Sequence, residues 1–214
     1  MSAVLAEMTP GFCDPTHGAQ QTFRAVLDAM SHPGRVFPLS LTSTRGIAPP
    51  ASMETDKPMS VGTAAVLLTL LDAETPVYLA GALSSSASAA YVRFHTGAQV
   101  VSQPDASMFV VARAAELNGA LLSNLDFGSD EVPQSGATLI VEVEALGPPA
   151  AMRLVLRGPG IETTQTLSVT GPSAAFWDWR AQRTAVLPRG IELILVCGDH
   201  IAALPRTTRI ELEA

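Results

Sequence analysis

Near its C-terminus the chain runs Leu204-Pro205-Arg206-Thr207-Thr208-Arg209-Ile210, which sets two guanidinium groups and two hydroxyls in four successive positions. Planar guanidinium forks and hydroxyls are the groups that grip phosphate-like oxyanions. The chain uses them here although it has only 13 basic residues against 20 acidic ones. Read as a strand, the run sends Arg206 and Thr208 to one face and Thr207 and Arg209 to the other, so one pair at most can serve one pocket. A plainer purpose fits the same residues, because charges on an edge strand discourage sheet-to-sheet aggregation. A second cationic pair, Arg93 and His95 in YVRFHTG, falls at a predicted helix end. There it suits either an anion or the negative end of the helix dipole. Arg206, Arg93, His95 and Thr208 are therefore the candidate anion-binding residues.

The stretch LRGPGIE, Leu156 to Glu162, offers a glycine-flanked proline whose backbone N–H groups could cradle an oxyanion; the same composition also makes an ordinary turn between strands. Beyond these, reactive constellations are absent. No GxGxxG follows a strand, and there is no GK[ST] loop, GxSxG elbow or HExxH pair. The four histidines, His17, His32, His95 and His200, are scattered, and none stands at metal-ligand spacing from another. No metal site is expected. An internal aldimine needs a lysine, and the only one, Lys57, lies in a proline-rich stretch. Neither pyridoxal phosphate nor any other cofactor is expected. Cys13 and Cys197 form no CxxC motif.

A net charge of -7 with no Lys/Arg cluster argues against a nucleic-acid partner. No apolar run reaches the roughly 18 residues that span a bilayer, and the first residues lack a basic n-region followed by an apolar core. A cytoplasmic protein with no membrane contact is the expectation. The 47% hydrophobic and 15% charged content fits a chain that buries surface in a large core or against a partner.

The elements that must position these groups follow from periodicity. Helices are predicted at Gln20 to Met30, where Phe23, Val26, Leu27 and Met30 share a face, at Val61 to Asp72 behind a Ser60 cap, at Ser86 to Phe94, at Glu116 to Leu125 and at Ser173 to Arg183. Strands are predicted at Arg35 to Leu39, Pro76 to Ala80, near Val100, at Met108 to Ala112, Leu139 to Val143, Met152 to Leu156, Thr164 to Val169 and Ile191 to Cys197. The last of these turns at Gly198-Asp199 into a partner running from Ile201 to Leu212. The three strands between 139 and 169 read as antiparallel neighbours. Residues 1–18 read as an N-terminal arm and 44–60 as a long loop. The sum is one domain over 1–214, an α/β fold in three α/β/α layers around a mixed sheet.

Six stretches taken in order, FRAVLDAMSHPG (23–34), TAAVLLTLLDAETPVYL (63–79), RFHTGAQVVSQP (93–104), GATLIVEV (136–143), LRGPGIE (156–162) and PRGIELILVCGDHIAALPRTTRIE (188–211), resemble the PhnH subunit family of the bacterial carbon-phosphorus lyase core complex. The resemblance implies a transferase-complex subunit in alkylphosphonate catabolism. With its companions it supports displacement of adenine from ATP by a phosphonate, giving a ribose 1-phosphonate 5-triphosphate; a separate radical enzyme later cleaves the C–P bond. It further implies a homodimer docked to the other subunits, and a fold similar to the large domain of pyridoxal-phosphate transferases without the cofactor. It carries over no catalytic residue. Three roles remain open: a mainly structural part in assembly, direct binding of phosphonate or triphosphate through arginines, and an autonomous transferase.

Overall fold

Asp14 starts the first helix. Its carboxylate accepts the N–H of His17 at 3.0 Å, and Pro15 at the first helical position has its φ already set, so helix α1 spans Pro15–Ser31. The expected arm of residues 1–18 is corrected accordingly, because 15–18 are helical. The structure is a computed structural model that describes residues 9–40, 44–50, 58–183 and 186–213; of the predicted loop at 44–60, positions 51–57 and with them Lys57 lie outside these. Helix α1 ends where the sequence says it must. His32 leaves helical geometry, Pro33 follows, and Gly34 takes φ +80°.

Ser60 caps helix α2 (Val61–Leu70) by accepting from Thr63 at 3.1 Å, and Ser85 caps helix α3 (Ser86–Thr96) through Ser88 at 3.1 Å. Only Gly119–Ser123 of the expected 116–125 helix is α-helical and forms α4, because Asn118 caps a new start by accepting from Leu121 at 3.0 Å. Helix α5 covers Ala174–Arg183.

Strands β1 (Phe37–Pro38), β2 (Val77–Leu79), β3 (Val100–Val101), β4 (Phe109–Arg113), β5 (Thr138–Glu142), β9 (Glu192–Cys197) and β10 (His200–Leu204) form a seven-stranded sheet in the order β1-β10-β9-β5-β4-β2-β3. Five neighbours from β3 to β9 run parallel, β10 pairs antiparallel with β9, and β1 pairs antiparallel with β10. A second, four-stranded antiparallel sheet orders β11 (Arg209–Leu212), β7 (Met152–Arg157), β8 (Gln165–Thr170) and β6 (Ala145–Leu146).

Two expectations are corrected here. β5 lies parallel between β4 and β9 rather than antiparallel to β7: its Leu139, Ile140 and Val141 are all fully buried, as a strand covered on both faces requires. The run Ile201 to Leu212 is not one strand. Pro205 ends β10, Thr208 donates its N–H back to the Pro205 carbonyl at 2.9 Å, and β11 then joins the other sheet.

Alternation divides the central strands between two cores. Val111, Ile140, Ile194 and Val196 face α1, α2 and α3 through Val26, Ala29, Val66, Leu67 and Val92. Val110, Leu139, Val141, Leu193 and Leu195 face Leu154, Leu156, Leu167 and Val169 of the small sheet, with Phe176 and Trp177 of α5. The third layer is thus a second sheet carrying helices, not the helical layer of an α/β/α sandwich. Mixed α/β architecture around one large mixed sheet is what holds.

Candidate functional site

In an open parallel sheet, ligands gather outside the C-terminal strand ends where the chain order reverses. That point here lies between β2 and β4, since the chain leaves β2 for β3 on one side and then returns to β4 on the other. A cavity of about 340 Å³ sits there, lined by Tyr78, Gly81, Gln103, Glu116, Asn118 and Asn124 among others. Most of its polar groups are already engaged. Glu116 accepts the N–H groups of Ala82 at 2.7 Å and Arg113 at 3.0 Å, Asn118 caps α4, and Asn124 donates to the Ala120 carbonyl at 2.8 Å.

The bridge continues along the same edge. The Nε of Arg113 donates to Glu142 at 3.2 Å, and the other Glu142 oxygen accepts the Ser60 N–H at 2.6 Å. A helix N-terminus is a ready anion site, yet the start of α2 is filled by the chain's own carboxylate and by the Gly198 carbonyl, which accepts from Gly62 at 3.0 Å. Among the described residues the crevice therefore holds the Tyr78 phenol, neutral amides and one committed carboxylate, with no nucleophile paired to a base. Among the described residues no three His, Cys, Asp or Glu side chains are placed to hold a metal ion.

The four candidate residues fall in two separate places. Arg93 and His95 occupy the last turn of α3, which closes at Gly97 in left-handed geometry. The Nη2 of Arg93 donates to the Val100 carbonyl at 3.3 Å, and the Nε2 of His95 faces the Thr9 carbonyl at 3.0 Å. A carbonyl only accepts, so Nε2 carries the proton. Tyr91, edge-on to the His95 ring at 4.6 Å, donates its hydroxyl to the Pro10 carbonyl at 3.3 Å, so this helix end pins residues 9–10.

Burial pushes the Tyr91 hydroxyl up to about 12. The folded chain keeps this proton where the unfolded chain loses it near pH 10, so its contribution is whole below pH 10 and fades as pH rises through about 12. In an alkaline absorbance titration, Tyr91→Phe should remove the phenolate component that appears last; a late component that survives the substitution would contradict this burial.

Arg206 and Thr208 lie in the crossover between the two sheets. The Arg206 guanidinium meets Glu192 at 2.5 Å through Nε and donates from Nη1 to the Pro133 and Pro188 carbonyls, while its backbone N–H reaches Glu192 at 2.7 Å. Thr208 is fully buried. Beside them Arg180 of α5, 1% exposed, donates to the Pro205 carbonyl at 2.8 Å. This fork latches three loops together, with its donors turned inward.

What periodicity did not reveal is a basic groove elsewhere. Arg35 lines a polar chamber of about 140 Å³ with Pro33, Gly160, Glu162, Thr163 and Thr164. The chamber shares Arg35 and Gln165 with a groove of about 820 Å³ that includes Arg153, Thr166, Ser168 and the 147–150 turn. No carboxylate of a described residue comes within 4.0 Å of the Arg35 guanidinium. The only sequence signal for it was its place directly after the His-Pro-Gly helix stop.

Two of the quoted stretches build this corner. A β-carbon on Gly160 of the GPG turn would sit 2.5 Å from the Ser31 carbonyl, and one on Gly34 would sit 2.3 Å from the Leu156 side chain. SHPG and RGPG are therefore packed together, and Ile161 donates to the Gly158 carbonyl at 3.1 Å as a hairpin turn does. The family of bacterial phosphonate metabolism proteins (PhnH) matches residues 10–211, which takes in both.

The chain belongs to the PhnH family.

It is 38% identical over 205 residues, covering 94% of each chain, to the α-D-ribose 1-methylphosphonate 5-triphosphate synthase subunit PhnH of Rhizobium meliloti (strain 1021). It is 34% identical over 194 residues, 91% of this chain and 86% of the other, to the putative C-P lyase subunit protein HtxG of Stutzerimonas stutzeri. No helix of the described PhnH-family fold is long and apolar enough to cross a membrane.

Proposed function

We propose that this chain is an assembly subunit of the cytoplasmic machinery that forms a ribose 1-phosphonate 5-triphosphate from ATP and an alkylphosphonate. Its relatives bear the names of such subunits. The observation that carries the structural role is the bridge Glu116–Arg113–Glu142–Ser60, which occupies the edge where a self-sufficient α/β enzyme would open its site. Catalysis is then a property of the assembly. Co-expression with the sibling subunits should yield one stable particle containing this chain; its free migration on a sizing column would remove the reading.

Likeness to the large domain of pyridoxal-phosphate transferases is part of this inference, supported by the mixed seven-stranded sheet. A homodimer is inferred as well, supported by Phe23 and Leu27, one helical turn apart on α1 and 46% and 51% exposed. Sedimentation should return twice the 22.3 kDa chain mass, and a monomer at micromolar concentration would exclude the dimer.

A second reading, direct contribution of ligands to a phosphonate or triphosphate, draws support from Arg35, whose guanidinium lines the hydroxyl-bearing chamber. Calorimetry of the isolated chain with ATP and with methylphosphonate separates the two readings. Heat that is lost in Arg35→Ala supports binding at the chamber, and heat lost in Arg93→Ala supports the α3 end; no heat with either ligand removes both sites.

A further inference from the structure

Arg157 on β7 and Arg209 on β11 are register partners, directly opposite each other in an antiparallel pair. Both are exposed, and the intervening Leu156 and Ile210 point to the core, so the two guanidiniums share the outer face of the small sheet. Like charges directly opposite one another destabilise a sheet. No carboxylate of a described residue lies within 4.0 Å of either guanidinium, whereas Arg153 on the same face is matched by Glu213 at 2.7 Å. Glu211, opposite Val155, is the nearest acidic position along the face and stands one pair removed. In a chain of net charge -7, two cations have been set against each other with no counter-charge among the described residues.

We propose that the Arg157–Arg209 pair is a docking site for an extended, carboxylate-bearing segment of a partner subunit. A carboxylate between the two forks turns their repulsion into two charge-assisted hydrogen bonds. Charge complementarity is the first support. The second is that β11 pairs with β7 alone, so its other side has no strand partner, while helix α5 packs against the same strand. Val155 and Thr166, opposite each other on the neighbouring row, supply apolar and hydroxyl contact beside the charges. A small free anion on this open face would remain hydrated and weakly held, whereas a folded partner excludes water and makes the same contacts count. Phosphate-class ligands find better enclosure at Arg35.

This site rests on the subunit reading, and its test keeps the two apart. Wild-type chain and the charge-reversed Arg157→Glu/Arg209→Glu chain are each co-expressed with the sibling subunits, and thermal melts are taken on the isolated chains. The reversed chain should melt within a few degrees of wild type but lose at least tenfold in affinity for the assembly. The milder Arg209→Gln should melt at or above wild type, because repulsion is relieved, yet bind more weakly and with a shallower salt dependence. A role confined to stability would not give that opposition. If the wild type assembles and both variants assemble with unchanged affinity, the docking site is wrong and the subunit reading stands. If the wild type does not assemble, both fall. Titration of the isolated chain with inorganic triphosphate covers the other occupant: heat abolished by Arg209→Gln would assign the pair to a free anion and overturn the docking proposal.

Discussion

Glu192→Ala should unfold with a stability lower by about 3 kcal/mol, or roughly 6 to 12 °C in melting temperature for a chain of this size. Glu192 is the carboxylate in contact with Arg206, accepting its Nε at 2.5 Å and its backbone N–H at 2.7 Å, and it also acts on the buried Arg180. The ion pair is only 17% and 23% exposed, so solvent screens it little. Removing the carboxylate leaves two guanidiniums facing each other. Their environment already shows the tension: burial lowers the Arg180 guanidinium to about 10, with Glu192 pulling it back up and Arg206 pushing it further down. At neutral pH the group remains charged.

The sign of its linkage opposes that of Tyr91. Above about pH 10 the unfolded chain still holds the proton that folded Arg180 has released, so this group's share of stability rises with pH there. Arg206→Met removes one of the two cations and should cost less than Glu192→Ala, while the Glu192→Leu/Arg206→Met pair should recover part of the larger loss. Urea denaturation of the set decides. A Glu192→Ala midpoint equivalent to within about 0.5 kcal/mol of wild type would mean that the latch contributes nothing to the fold.

This latch also shows what the sequence could and could not reveal. Helix α1 was legible because Phe23, Val26, Leu27 and Met30 repeat at helical spacing and Ser-His-Pro-Gly must end a helix, but the face it buries is Gly18, Thr22, Val26 and Ala29, with Phe23 and Leu27 exposed. Its true start was missed because Asp14-Pro15 serves equally as a turn and as a cap followed by a first helical residue. The strands at 152–157 and 165–170 were readable from alternation, whereas the identity of their sheet was not. Periodicity reports which face of a strand is buried, but the partner that buries it is a long-range fact. For the same reason LPRTTRI read as one strand with two faces. Pro205 breaks it, Arg206 is drawn inward by a carboxylate 14 residues earlier, and of the two arginines only Arg209 enters β11. Its counterpart Arg157 belongs to the stretch LRGPGIE, which drew attention for its glycines and not for its arginine.

Gly160→Ala and Gly147→Ala should separate backbone strain from close packing. Both residues take positive φ, +82° and +90°, where a β-carbon costs about 1 to 2 kcal/mol. At Gly147 nothing lies within 4 Å of the added methyl, so that strain is the whole expected loss. At Gly160 the methyl would lie 2.5 Å from the Ser31 carbonyl and 2.8 Å from the Pro33 ring. The Ser31 contact is with backbone at the end of a 17-residue helix, which cannot rotate aside as a side chain would. Overpacking there adds a further 1 to 3 kcal/mol or so, and the GPG turn must part from SHPG. Gly160→Ala is therefore expected to lose about twice as much stability as Gly147→Ala, and also to loosen the Arg35 chamber, which Pro33 and Gly160 help to line. Denaturant midpoints give the first comparison, and amide exchange in residues 31–36 gives the second. Equal losses at the two positions would show that the two turns do not depend on their contact, leaving the Arg35 corner without the rigid wall that a binding site there requires.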